Sequence, residues 1–156
     1  MLTRKKNDKG VTLVELIVVF AIIAILAVLM VPSVSPWLLN YRLRGATRDI
    51  VSTMRMAQMR AVSSNIQYRV NFNAADLGGT NHYVLQHDSG GLWVNVGAPQ
   101  TLPSGVTMNV GLLPGGRAMF NPDSTSTGGS LTLQNSKGSA RTITLTTATG
   151  RVNILD

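Results

Sequence analysis

From Leu16 to Val31 every residue is apolar, and no other stretch limits the fold as strongly. Extended back to Val11, the segment takes in two polar positions, Thr12 and Glu15, and reaches 21 residues. As a helix it would be about 31 Å long, close to the roughly 30 Å hydrocarbon core of a bilayer. Arg4, Lys5, Lys6 and Lys9 all precede it. Positive charge stays on the cytoplasmic side of such a helix, so the expected topology is single-pass, with the N-terminus cytoplasmic and the remainder outside. A cleavable secretory signal would have a shorter apolar core ending in a small-residue cut site. Here the run ends in Val31-Pro32-Ser33-Val34-Ser35-Pro36.

Composition locates the rest of the chain. Of 156 residues 44% are hydrophobic, yet only 5% are aromatic and 13% charged. Apolar residues are therefore concentrated in one segment, beside a polar remainder with room for one small domain. The basic residues before Gly10, set against Asp8, hold +3 of the +7 net charge, which leaves +4 for everything after. The basicity thus belongs partly to a leader and is weak grounds for a nucleic-acid partner. With no cysteine, the chain has no disulfide, thiolate metal site or cysteine nucleophile.

Glu15 is the anomaly in the apolar segment. A carboxylate at the centre of a membrane helix costs about 2.5 to 3.5 kcal/mol on insertion scales, and less near the edge. One reading has Glu15 reaching back to the headgroups. The sharper reading pairs it with a positive charge created at the same depth. Pro32 and Pro36 leave a second choice open: they end the membrane helix, or the helix bends near Pro32 and continues.

Beyond Trp37 a helical period returns. Leu39, Leu43, Ala46, Ile50, Met54, Ala57 and Ala61 form one apolar stripe, while Arg44, Arg48 and Arg55 share another face. The stripe is expected to pack on a sheet, with the arginines solvated or against lipid headgroups. Met54, Met56 and Met59 read as adaptable packing. Trp37 and Tyr41 suit a membrane–water boundary.

From Ile66 the period changes to two. Strands are expected at Ile66–Phe72, His82–His87 and Leu92–Val96, then at Val106–Val110 and Gly116–Phe120. Ser130–Gln134, Thr142–Thr146 and Arg151–Ile154 make a second set. The Gly-Gly pairs fall between strands as turn residues, and none opens a helix as a phosphate-binding loop does. His82 and His87 lie five apart on one strand and face opposite sides. The aspartates lack metal-ligand spacing, and no serine sits in a nucleophile elbow. We expect no catalytic residue, no metal, no cofactor and no enzymatic activity.

Lys9-Gly10-Val11-Thr12-Leu13-Val14-Glu15-Leu16 resembles the processing site of type IV prepilins and type II secretion pseudopilins. Met56 to Phe72 resembles the helix-to-strand junction of the GspH/FimT family. Gly128–Leu133, Arg141–Leu145 and Thr149-Gly150-Arg151-Val152 resemble its closing strands. The resemblance implies cleavage between Gly10 and Val11 by a prepilin peptidase, N-methylation at Val11, and an assembly role for Thr12, Leu13 and Glu15. Most members have phenylalanine where this chain has Val11. Members are minor pseudopilins or minor pilins that help initiate or cap a fibre, in contact with other pilins and inner-membrane lipid. Some bind DNA during uptake, for which Lys137, Arg141 and Arg151 are the candidates here.

The expected fold class is α+β: a long N-terminal helix, membrane-spanning and kinked near Pro32, packed by its C-terminal half on a small antiparallel β head. The expected divisions are a cleaved leader at 1–10, a membrane and assembly helix at 11–35, an amphipathic helix at 36–65 and a periplasmic head at 66–156.

Overall fold

The computed structural model describes residues 11–72 and 74–155, without the side chains of 28–35, 74 and 75. The leader therefore lies outside the described residues. Helix α1 runs from Leu13 to Ser64, so neither Pro32 nor Pro36 ends it. Proline removes a helical N–H donor, but the helical backbone continues through both positions. The expected long N-terminal helix is thus a single element. It contributes to two compact units, 1–37 and 38–156.

Among the described residues no helix is long and apolar enough to cross a membrane. The span expected over Val11–Val31 includes side chains, 28–31, that fall outside that description.

In the second unit, the helix buries Leu43, Ala46, Ile50, Val51, Met54, Ala57 and Ala61. Three of these are alanines, and their small side chains bring the helix backbone close to the sheets. Leu39, the first residue of the expected stripe, is only half-buried. Thr47 is fully buried, and its hydroxyl donates to the Leu43 carbonyl at 2.7 Å, so it leaves no orphan donor. The helix stops at Asn65, whose φ of 53° is the left-handed conformation that asparagine tolerates just past a helix end.

The strands form two antiparallel sheets. The first contains β1 (Tyr68–Asn71), β2 (His82–Ser89), β3 (Leu92–Asn95), β4 (Gln100–Thr101) and β6 (Arg117–Phe120). Its order is β3-β2-β1-β6, with the short β4 also on β2. The second contains β5 (Val106–Asn109), β7 (Gly129–Asn135), β8 (Ala140–Leu145) and β9 (Val152–Leu155), in the order β5-β7-β8-β9. A one-turn helix α2 (Ala74–Leu77) follows β1. Every expected strand is present, four of the eight trimmed and the others extended or shifted by one or two residues; α2 and β4 have no counterpart in the sequence reading.

The inward faces of both sheets meet α1 in one core. Phe72, Val70, Phe120, Leu131, Leu133 and Ile143 are each no more than 1% exposed. Polar ties fix the helix against the strands. Arg42 Nη1 donates to the Ser104 carbonyl and hydroxyl, Asn135 Nδ2 to Asn40 Oδ1, and Gln58 Nε2 to the Thr149 carbonyl.

Candidate functional site

The site is built where α1 begins. The Thr12 carbonyl accepts from the Leu16 amide at 3.2 Å, which closes the first helical turn. The Thr12 hydroxyl accepts from the Glu15 amide, also at 3.2 Å. Thr12 is thus the helix N-cap, and Glu15 stands three positions on, in the first turn. Thr-x-x-Glu before an apolar run is a capping-box pattern, a signal that the sequence carries for this helix start. A carboxylate there also faces the positive end of the helix dipole, worth about 0.3 to 1 kcal/mol at an exposed position. Glu15 therefore has a local place in the first turn of the helix.

The first turns have no covering. Val11 is 71% exposed, Leu13 75% and Phe20 62%, and every large apolar side chain between 11 and 26 is at least half exposed. A helix apolar on all sides is stable only when buried in lipid or among other helices. Each such side chain contributes about 1.5 to 3 kcal/mol when fully covered. Glu15 is the only charge along this surface up to Leu26. Gly10, the other half of the expected cleavage site, lies outside the described residues, as does the Pro32 side chain.

The head does not join the three basic candidates into one patch. Lys137 is on the β7–β8 turn, and Arg141 is paired opposite Leu133 near that same end. Arg151 lies at the far end, just outside the Leu145–Val152 pair. About five strand residues, some 17 Å, separate it from Arg141. Arg141 also shares strand parity with buried Ile143 and Leu145, whereas Arg151 alternates with buried Val152, so the two emerge on opposite faces. Strand geometry thus corrects the expected patch.

The chemistry-bearing side chains of the head have structural partners. His82 Nδ1 sits 3.0 Å from the Thr101 hydroxyl, and the His87 ring packs at 5.9 Å against Tyr68. The Arg69 guanidinium lies 4.0 Å over the Trp93 ring, and its Nε donates to Gln86. Asp76 accepts from Arg117 at 2.6 Å and from Asn71 at 3.0 Å, and these bonds hold its carboxyl below the usual range. Among the described residues, no three His, Cys, Asp or Glu side chains are grouped to hold a metal ion. A cleft of about 350 Å³ between α1 and β2 is lined by Asp49, Thr53, Tyr83 and Gln100. Burial, and then the nearby Asp49 charge, push the Tyr83 hydroxyl above its ordinary range. It therefore remains protonated at neutral pH.

Two family models match this chain. The prokaryotic N-terminal methylation motif covers residues 5–31, and the type II transport protein GspH model covers 46–150. The chain belongs to the GspH family. With both models on one chain, this GspH-family protein is a minor pseudopilin or minor pilin.

Solved structures share its fold. The minor pseudopilin EpsH from the type 2 secretion system of Vibrio cholerae is 12% identical, at a TM-score of 0.61 over 73% of this chain and 96% of that one. The type IV minor pilin FimU of Pseudomonas aeruginosa is 13% identical, at a TM-score of 0.57 over 72% of this chain and 92% of that one. No curated protein matches the chain at a significant level.

Proposed function

We propose that this GspH-family subunit is cut between Gly10 and Val11 and enters a fibre through its exposed apolar helix. In that fibre Glu15 neutralises the new α-amino group of a neighbouring subunit. Before assembly the helix rests in the inner membrane as a single span with the head on the periplasmic side. The prepilin peptidase and membrane lipid are then transient partners, and other pilins are the lasting ones. Its contribution is structural rather than catalytic: it starts or caps the fibre.

One observation carries the reading. The described surface from Val11 to Leu26 is apolar and uncovered, with a single carboxylate in its first turn. In an apolar bundle an opposite charge on a neighbour specifies axial register, as a single buried polar residue does in a coiled coil.

Because Glu15 also stands in a capping position, alanine would confuse two roles. Glutamine retains the capping geometry and removes the charge. Glu15→Gln is expected to be inserted and cleaved normally but to enter the fibre at least about tenfold less than the parent, a difference of about 1.4 kcal/mol. The measurement is the fraction of subunit in sheared fibres, alongside the N-terminal mass of the membrane-held protein. Normal fibre entry of the glutamine variant would remove the charge pair; an N-terminal mass that retains residues 1–10 would remove the proposal as a whole.

A further inference from the structure

Strand β9 is the last in its sheet, and among the described residues no strand pairs with its outer side. Its ladder to β8 places the Thr146 amide on the Arg151 carbonyl at 3.0 Å. Antiparallel alternation then turns Arg151 and Asn153 inward and directs the N–H and C=O groups of Val152 and Ile154 outward. Exposed edges in stable folds are usually blunted by charge, proline or a covering segment. This one instead exposes Ile154 at 38% and Leu155 at 57%.

Between that edge and α1 runs a groove of about 360 Å³, with Val51, Met56, Met59 and Ile154 along its floor and Arg48 and Arg55 at its wall. Both arginines are exposed, and neither has a hydrogen-bond or ion-pair partner among the described residues. They belong to the most basic part of the head, five arginines against one aspartate between 38 and 64. Seven residues of helix separate them, about 10 Å. That falls between the two- and four-residue spacings on one face of a strand, about 7 and 13 Å, within reach of flexible arginine side chains.

We infer that this groove receives an extended segment from the head of a neighbouring pilin-family subunit, added as a strand to β9. Its helix-facing side carries an acid, an apolar residue and a second acid at alternate positions. Three features point to this occupant together: the unsatisfied edge calls for backbone pairing, the methionine-lined floor for an apolar side chain, and the paired arginines for carboxylates. The inference rests on the fibre-subunit reading and adds to it the kind of contact made between heads.

The test is binding of a fluorescent peptide with the core Glu-Thr-Val-Thr-Glu to the full chain in detergent micelles, followed by anisotropy. Ile154→Pro deletes an outward donor and leaves the inward ladder of β9 intact, while Ile154→Val retains it. The parent and Ile154→Val are expected to bind within about twofold of each other. Ile154→Pro, and Arg48→Glu combined with Arg55→Glu, are expected to bind at least about tenfold more weakly at unchanged melting temperature. A peptide with lysine in place of both glutamates should not bind.

Equal binding by Ile154→Pro, or by the lysine peptide, overturns the inference. So does a parent chain that ignores the peptide; if its sedimentation with phosphatidylglycerol vesicles also exceeds that of the Arg48→Glu, Arg55→Glu double variant, the occupant is lipid. None of these results bears on N-terminal cleavage or on Glu15, whose own test decides the fibre-subunit reading.

Discussion

Gly150 shows why the short Thr-Gly-Arg-Val ending matters. Its φ is 59°, and a Cβ placed there would lie 2.7 Å from both Gln58 Nε2 and the Ser124 carbonyl. Gln58 is the residue that ties α1 to the Thr149 carbonyl, so the glycine lets helix and hairpin approach at that point. Gly150→Ala meets both backbone strain and a clash, and should destabilise the head by about 1 to 3 kcal/mol, measurable by urea unfolding. Asp76 supports a prediction with a definite sign. Its folded-state pKa is depressed, first by the Arg117 bond and then by Asn71. Its contribution is therefore present above the unfolded value near 3.8 and lost as pH falls through the lower folded value. Melting temperature should drop below about pH 4, and Asp76→Asn should reduce that dependence while lowering stability at neutral pH. Glu15 stands out in the sequence because a lone charge in an apolar run has few explanations. Its cap by Thr12 is equally legible, because Thr-x-x-Glu before an apolar run marks the first turn of a helix.

Helix α1 was readable because its period persists: six of seven stripe residues are buried, and Leu39 falls short only because the head begins there. A period of two likewise persists in the burial of β6 and β7, whereas β1, central in its sheet, is buried at all four positions. The two-residue β4 and one-turn α2 are too short to show any period, and each is held by long-range neighbours instead. Sheet order was illegible as well. The β1–β6 and β5–β7 pairings join strands distant in sequence, and strand pattern alone does not select a partner. Gly45 offers a test at this scale. It lies in mid-helix, and a Cβ added there would meet nothing within 4 Å. Gly45→Ala should therefore stabilise the head by about 0.5 to 1 kcal/mol, since alanine loses less backbone freedom on helix formation. Calorimetry should show a rise of a few degrees in Tm for a domain of this size, about 2 to 8 °C per kcal/mol.

The chain divides into parts whose stability has different origins. Every residue of the hydrophobic core lies between Leu43 and Val152, and none of the apolar side chains described between 11 and 27 contributes to it. Within the second unit, Asn40, Arg42 and Gln58 tie α1 to the strands and turns of the head. Among the described residues, all the core burial lies within 38–156, and the apolar side chains from 11 to 27 are left to whatever surrounds them. This separation fits a subunit that exchanges one apolar environment for another during assembly, because the exchange can proceed without unfolding the head. A fragment of residues 38–156 should thus fold alone and melt within about 5 °C of the full chain in detergent, a shift of roughly 1 kcal/mol. Circular dichroism at both helix and sheet wavelengths is the measurement. If the fragment is molten, or melts far below the full chain, the N-terminal turns of α1 support the head after all, and the two parts cannot act independently during fibre entry.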